Sequence, residues 1–519
     1  MRALQSPAKV PMSQPHNADA APAATPRTAP VQGSARRGAA WTFGSFIVAN
    51  MLRLVSNLVL TRLLYPEAFG LVSLVMVFIT GLTLLTDLGI NVALLQNPKA
   101  EEGRFRDTAW TLQVLRGIAL FILCCSIGWP VAHFYGQPQL VWLLPALGFV
   151  PLIMGFESTA IFIAQRNLQL KRTSLMELTA ALIASGVTIL AALAHRAIFG
   201  PNHPHAVMAI VIGMVVGNIV KTAISHYLLP FRHKHTFVLQ PEVMREIARV
   251  GGWLLVSSGL TFLVGQLDRL TFAKMIPLDL FGVYGIAAML ANIPFLAMGN
   301  MARSMGTPIL SRIANAQGDV DAEARRFRRP LLIVSGTLLA GLMSCGPLLT
   351  SLIYDSRYHD AGWILRLLTL SLWFALLDGF NGTVFLALAR PKWLAIGNGV
   401  KLVALAVALP LGFHLGGFRG ALFGVIAVEA TKYLVSTFGL LRRGVRSFRV
   451  DLVFTVIVLG TAWAGMEVGE LVLGTSVGML GAFFAAGLTT ALFWAGIGGH
   501  FLLDERAKKR AAQPPPIPA

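Results

Sequence analysis

The sequence predicts an all-α polytopic membrane protein of about 14 transmembrane helices, arranged as two pseudo-symmetric six-helix lobes plus two C-terminal helices. Three observations predict it. Apolar side chains make up 55% of the 519 residues and charged ones 13%, with a mean hydropathy of +0.67, a balance foreign to soluble globules. The chain also echoes itself: a gapless shift of about 212 positions lays Arg37 to Gly70 on Arg249 to Gly282. Trp41 then pairs with Trp253, Ser45 with Ser257, Arg62 with Lys274, Glu67 with Asp279, and Phe69-Gly70 with Phe281-Gly282. So long a period marks a duplicated bundle rather than a solenoid, and in transporters such halves flank the substrate path. Finally, Lys and Arg fall in alternate connections between apolar runs, as topology signals do.

Taken in order, residues 1–35 are rich in Ala, Pro, Ser and Gln and lack the apolar core of a signal peptide, so a disordered cytoplasmic tail is expected. The N-lobe, 36–230, holds runs at 39–63, 68–95, 108–130, 140–163, 174–195 and 206–229, each near the roughly 20 helical residues that cross a hydrocarbon core. A cytoplasmic linker helix is expected over 231–248, part of an interfacial amphipathic stretch from Gln240 to Val250, with Pro241 in its first turn and Met244, Ile247 and Ala248 on one side. The C-lobe, 249–441, holds runs at 249–273, 281–303, 330–353, 361–389, 392–412 and 418–440. Between the second and third of these, Asp319 is an expected N-cap, and Arg325, Arg326, Arg328 and Arg329 are expected near lipid headgroups. Runs at 450–471 and 476–500 complete the membrane part within 442–503, and 504–519 reads as a cytoplasmic tail with a Pro-rich end.

Setting the N-terminus inside, about 31 of the 43 basic residues fall in inner connections and about 5 in outer ones: Arg62, Arg196, Lys274, Arg357 and Arg419. Both termini are therefore expected in the cytoplasm of a bacterial cell, with the protein in its inner membrane. The net charge of +19 is spread among these connections, with no long basic block or interleaved aromatics, which argues against nucleic acid. Cys124, Cys125 and Cys345 lie inside apolar runs and read as small buried side chains. The His195 to His205 connection, with three histidines, reads as a solvated loop rather than a metal site. Glycines within runs, such as Gly213/Gly217 and Gly417/Gly420/Gly424, are expected at close helix crossings.

Ionisable residues at membrane depth carry the functional signal, since one charge near the bilayer centre costs about 2.5–3.5 kcal/mol on insertion scales and is kept where it faces a cavity or a partner. The cations are Arg53, Arg116, Lys221, Arg269, Arg366, Lys401 and Lys432; the acids are Asp87, Glu157, Glu177, Asp268, Asp378 and Glu429. Under the internal shift Arg269 takes the place of Asn57, one helical turn beyond Arg53, so Arg53 and Arg269 are expected to face one central space from opposite lobes. Arginine suits a diphosphate there because its fork binds oxygens bidentately and stays charged. Arg116, Lys221, Lys401 and Asn57 are further substrate-binding candidates, and Asp268 and Asp378 are candidates for an ion-coupling site. Glu429 and Lys432, three residues apart, are expected to neutralise each other. No glycine loop precedes a basic residue in the manner of a nucleotide-driven motor, and no cofactor or metal is expected.

Leu60-Thr-Arg-Leu-Leu-Tyr-Pro-Glu-Ala-Phe-Gly70, Thr86-Asp-Leu-Gly-Ile90 with Leu94-Leu-Gln96, Asp107-Thr-Ala-Trp-Thr111, Leu115-Arg-Gly117, Phe134-Tyr-Gly136, Gln165-Arg-Asn-Leu168 and Tyr354-Asp-Ser-Arg-Tyr358 with Ala361-Gly-Trp363 together resemble the oligosaccharide flippases of bacterial polysaccharide export. These form the polysaccharide-transporter branch of the multidrug/oligosaccharidyl-lipid/polysaccharide exporter superfamily. The resemblance covers about residues 36 to 445. It implies two six-helix lobes around a central cavity, alternating access, and an undecaprenyl-diphosphate-linked sugar unit as cargo, destined for exopolysaccharide, capsule or lipopolysaccharide. A cationic cavity on the first and seventh helices is implied at Arg53 and Arg269. Membrane lipids, and a polysaccharide polymerase and glycosyltransferases, are the implied partners.

Two other classes compete. An ion-coupled multidrug extruder of the same superfamily needs an acidic, aromatic cavity, whereas mid-span cations here are at least as numerous as acids. A membrane polymerase or acyltransferase needs a sizeable outer loop or a group of His, Asp and Glu at one leaflet, and the outer connections are short. A transporter rather than an enzyme is therefore expected.

Overall fold

Runs of apolar residues this long satisfy their backbone only as helices once inside lipid, and the computed structural model is helical almost throughout. It describes residues 31–167, 169–200, 203–227, 229, 234–473 and 478–511. The expected tail up to residue 30, Pro201 and Arg232 in their connections, and the Pro-rich end lie outside the described residues. In chain order the helices are α1 (Val31–Leu63), α2 (Pro66–Leu85), α3 (Ile90–Gln96), α4 (Gly103–Tyr135), α5 (Leu140–Gly155), α6 (Ala160–Arg166), α7 (Leu170–Phe199) and α8 (Met208–Tyr227). Then follow α9 (Pro241–Met275), α10 (Leu278–Met301), α11 (Thr307–Asn315), α12 (Val320–Ile353), α13 (Ala361–Ala387), α14 (Lys392–Leu441), α15 (Phe448–Leu473) and α16 (Gly478–Ala511). Among the described residues ten helical stretches are long and apolar enough to cross a membrane, or eleven if α5 and α6, bent by 61°, form one broken span. One of the ten, α14, is itself interrupted at Gly416 and Gly417, where the backbone leaves the helix and Gly417 adopts φ 58°. Only glycine holds that conformation without strain. The two arms of α14 fold back on each other so closely that a side chain at Gly412 or Gly420 would meet the facing backbone.

The two Phe-Gly copies found by the internal shift meet in space. A Cβ on Gly70 would collide with the carbonyl oxygen of Leu278, and one on Gly282 with that of Pro66, so α2 and α10 touch backbone to backbone. In lipid, where apolar side chains gain little from leaving one another's solvent, such close approach of small residues is what joins helices. Around the crossing, Phe69, Phe281, Tyr284 and Tyr358 are buried, and the Phe69 and Tyr358 rings meet edge to face at 6.3 Å. Arg357 ties this end further by donating to the carbonyls of Thr61 and Leu64. The neighbouring Asp355 carboxyl, bonded by the Ser356 hydroxyl and then by Arg357, is held below its usual range. A single apolar core runs through this end from Leu60 on α1 to Val428 on α14 and seals it. The Arg62, Arg196, Lys274, Arg357 and Arg419 side chains, expected on one side of the membrane, gather at this same end: Arg196 donates to the Arg62 carbonyl, Lys274 to that of Phe134, and Arg419 lies over Trp363.

Three expectations about the linkers and cysteines change. The stretch from Gln240 to Val250 does not form a separate helix on the membrane surface: Pro241 opens α9, which continues unbroken to Met275. Its buried stripe is Val243 and Ile247, packed on Ile90, Leu94, Phe105 and Ile163, while Met244 and Ala248 point outward. Residues i and i+4 share a helix face, which puts Val243 rather than Met244 beside Ile247. Just before it, residues 234–240 run extended along α4, alternate backbone N–H groups of Thr236, Val238 and Gln240 donating to the side chains of Asp107, Thr111 and Thr108. Asp319 caps α12 as expected, accepting from the Ala322 N–H at 3.0 Å. Arg328, however, is buried at 3% exposure rather than set among lipid headgroups. It pairs with Asp451 at 2.7 Å and donates to Asn381, Ser447 and the Leu377 carbonyl, while Tyr433 donates to the same carboxylate. This network fastens α12, α13, α14 and α15 together. Of the cysteines, Cys124 and Cys345 are buried but Cys125 is exposed, because adjacent helical residues point about 100° apart.

Removing one partner of the Arg328–Asp451 pair leaves a buried charge, at a cost of about 3–5 kcal/mol. Asp451→Asn is therefore expected to lower the melting temperature of the purified protein sharply, and the double variant Arg328→Met/Asp451→Leu to recover most of the loss. In a background with its native cysteines replaced by alanine, Gly282→Val is expected to raise several-fold the reaction of a thiol introduced by Ser73→Cys with a membrane-impermeant reagent added at the Phe-Gly end. Equal reaction rates would show that this crossing does not seal the cavity.

Candidate functional site: a cation-rich cavity between the repeats

Between the sealed end and the opposite one lies a cavity of about 960 Å³, near the top of the roughly 300–1,000 Å³ range of small-molecule sites. Helices α1, α2, α9, α10, α13 and α14 line it, with Ile210 added from α8. At one end its lining residues Phe69 and Tyr284 are buried; at the other, Leu296, Arg303 and Leu386 are exposed, so the hollow opens away from the Phe-Gly crossing.

Arg53 on α1 and Arg269 on α9 both line it, as the internal shift predicts. Among the described residues neither forms an ion pair with a carboxylate, and Arg269 lies beside the Tyr284 hydroxyl. Asn57, Lys401, Asp268 and Asp378 line the same space. The Asn57 amide donates to the Met289 sulfur at 2.7 Å, across from α1 to α10. Asp268 accepts from Tyr284 at 2.8 Å.

Glu429 and Lys432 also line the cavity, but they do not neutralise each other. Lys401, on the first arm of α14, bonds Glu429 on the second, and Lys432 pairs with Asp378 of α13 at 3.0 Å. Pairing across helices wins because it satisfies two partners per carboxylate-bearing helix pair, whereas a local pair would leave Asp378 and Lys401 each alone at membrane depth.

Two of the candidate cations stand elsewhere. Arg116 on α4 is held by the Thr83 carbonyl, the Thr86 hydroxyl and Asp87 at 4.0 Å, which ties α4 to the end of α2. Lys221 on α8 pairs with Glu157 at 3.0 Å in the break between α5 and α6. Neither lines the cavity. For Arg116 the sequence contained the answer in Thr86-Asp87, a hydroxyl and a carboxylate at the end of the neighbouring span; for Lys221 nothing local points to Glu157.

The cavity also recruits residues outside the sequence candidates. Arg303 enters the lining where α10 gives way to a wide π-helical turn, Ala302–Gly306, a feature that often marks functional positions. It donates to the Asn300 side chain at 2.8 Å. Asn50, Gln266, Asn292 and Asn398 bring carboxamides; their signal was present, as amides inside apolar runs. Among the described residues of the lining, five cations (Arg53, Arg269, Arg303, Lys401, Lys432) face three acids (Asp268, Asp378, Glu429), an excess of two positive charges. A low-dielectric wall strengthens the field of that excess, so the cavity attracts anions. Among the described residues no group of three or more His, Cys, Asp or Glu side chains is placed to hold a metal ion.

Comparison with known proteins places the chain in a family. The chain is 24% identical over 349 residues to the teichuronic acid biosynthesis protein TuaB of Bacillus subtilis (strain 168), covering 67% of this chain and 70% of that one. It is 22% identical over 415 residues to the lipopolysaccharide biosynthesis protein WzxC of Escherichia coli (strain K12), covering 78% and 80%. Among solved structures, the lipid II flippase MurJ in an inward closed conformation superposes with a TM-score of 0.69 at 15% identity, over 89% of this chain and 99% of that one, which establishes a shared fold. Residues 59–362 match the family described as polysaccharide biosynthesis protein, and with more than half its length in that match the chain is a multi-pass membrane protein belonging to this family.

Proposed function

We propose that the protein is a flippase that moves an undecaprenyl-diphosphate-linked oligosaccharide repeat unit from the cytoplasmic to the periplasmic leaflet of the bacterial inner membrane, for exopolysaccharide, capsule or lipopolysaccharide synthesis. The observation that carries this reading is that Arg53 and Arg269, from the two copies of the internal repeat, face one cavity and neither is ion-paired with a carboxylate among the described residues. A diphosphate supplies the missing negative charge, and arginine binds it with forked, permanently charged donors. Both termini lie in the cytoplasm in this reading, and the open end of the cavity, marked by Arg303, receives the head group while the polyprenyl chain stays in lipid. Residues 36–230 and 249–441 act as two lobes that rock about the site, with the Phe-Gly crossing as the contact that must part to release cargo outside. Binding has to be attractive yet shallow for the cargo to leave. No bond is made or broken. Asp268 and Asp378, facing the same space, are the acids through which an ion gradient would act. Cargo arrives from glycosyltransferases and leaves to a polymerase.

A multidrug extruder of the same superfamily remains the rival reading, and the cavity speaks against it: a cationic drug would enter a space already carrying two uncompensated positive charges.

Arg53→Ala and Arg269→Ala are each expected to abolish polymer export in a deletion strain while the protein still inserts. Undecaprenyl-linked intermediates then accumulate on the inner leaflet, and Lys at either position rescues only in part, since an ammonium lacks the fork. Normal export by the double alanine variant would overturn the assignment.

A further inference from the structure

Asp268 and Arg269 are consecutive on α9 and both line the cavity. Ions at membrane depth ordinarily pair with one another where they can, yet among the described residues these two neighbours form no ion pair. The Asp268 carboxylate instead accepts the hydroxyl proton of Tyr284, from α10, at 2.8 Å, and the Arg269 side chain lies beside that same hydroxyl. A phenol has one proton to give and lone pairs with which to receive, so a single oxygen can serve both charges. Tyr284 is itself held firmly. It is 2% exposed, and its ring meets those of Phe272, Phe281 and Phe418 at centroid distances of 5.3, 6.1 and 6.1 Å. Two positions before it, Gly282 lies against the Pro66 backbone. The hydroxyl is therefore a donor whose place at the sealed end is set by aromatic packing, the condition under which a supporting residue can orient another.

Resting on the flippase reading, we propose that Tyr284 is a positioning residue for the cargo diphosphate: its hydroxyl holds the Asp268 carboxylate, so that Arg269 stays available to the diphosphate instead of closing on its neighbour. A carboxylate that closed on Arg269 would take the forked donors that a phosphate needs, and would set a negative charge where the phosphate has to lie. Tyr284 acts through Asp268 and needs no contact with the cargo. This accounts for an acid standing beside a binding arginine without neutralising it.

The test is equilibrium binding of undecaprenyl diphosphate to purified, detergent-solubilised protein, with Tyr284→Phe made in two backgrounds. The change keeps the ring and removes one oxygen. In the otherwise unaltered chain it is expected to weaken binding about tenfold, the weight of one hydrogen bond to a charged group. In an Asp268→Asn background, where no carboxylate remains to close on Arg269, the same change is expected to weaken binding by about threefold or less. A hydroxyl that served only packing, or that touched the cargo itself, would be missed equally in both. Equal losses in the two backgrounds therefore overturn the proposal, and so does Tyr284→Phe binding as tightly as the unaltered protein. The Asp268→Asn comparison also decides without the single variant, should that one fail to fold: a loss of about tenfold there overturns the proposal. Should undecaprenyl diphosphate fail to bind the unaltered protein, or bind Arg53→Ala equally well, the flippase reading falls and this inference with it. Weakened binding by Arg53→Ala together with equal losses in the two backgrounds overturns this inference alone.

Discussion

A charge inside a membrane must find water or a partner, and the interior of this protein is organised by how each of its ions meets that demand. Arg116 and Lys221 meet it within the first repeat, against Asp87 and Glu157. Arg328 meets it most completely, with Asp451, Asn381, Ser447 and a backbone carbonyl around one guanidinium. Lys401 and Lys432 take Glu429 and Asp378. Arg53 and Arg269 form no such pair among the described residues, and both line the hollow between the repeats, together with Asp268 and Arg303.

The architecture was legible because its signals are periodic. Apolar run length gave the helices, and the shift that aligns Phe69-Gly70 with Phe281-Gly282 gave the duplication; that these two copies meet at one crossing emerged only from the structure. Arg53, Asn57, Arg269, Asp268, Asp378 and Lys401 were all found in the cavity because an ion or amide deep in a span has few other places to point. Partner choice was not legible. Glu429 and Lys432 are near in sequence, yet each bonds a residue reached only through the tertiary fold. Arg328 sat in a run of arginines that reads as an inner-surface cluster, and nothing local distinguishes it from Arg325, which stays at the surface with Asp321. Its partner lies more than a hundred residues away.

The motif Asp107-Thr-Ala-Trp-Thr111 now has a physical account. Its Asp and two Thr side chains receive the alternate N–H groups of residues 236–240, and Trp110 stacks on His235 with ring centroids 5.1 Å apart. An extended segment has N–H groups with no partner of its own, so polar side chains spaced along α4 replace the missing neighbouring strand. The segment leads directly into α9, the helix that carries Arg269. Packing of Ile247 on α3 and α4, and an amide hydrogen bond from Asn97 to Glu246 at 2.8 Å, extend the attachment. The second arginine is thereby positioned by the first repeat as well as by its own.

The reversal of α14 at Gly416 and Gly417 bears on how the chain enters the bilayer in the first place. Because only two residues depart from the helix there, the two arms pair as a local helical hairpin, with Lys401 and Glu429 on opposite arms bonded to each other. The hairpin can thus partition into lipid as an electrically neutral unit, avoiding most of the roughly 2.5–3.5 kcal/mol that either ion alone would impose near the bilayer centre. The glycine turn in this way lets two ions of the polar interior cancel within one local unit.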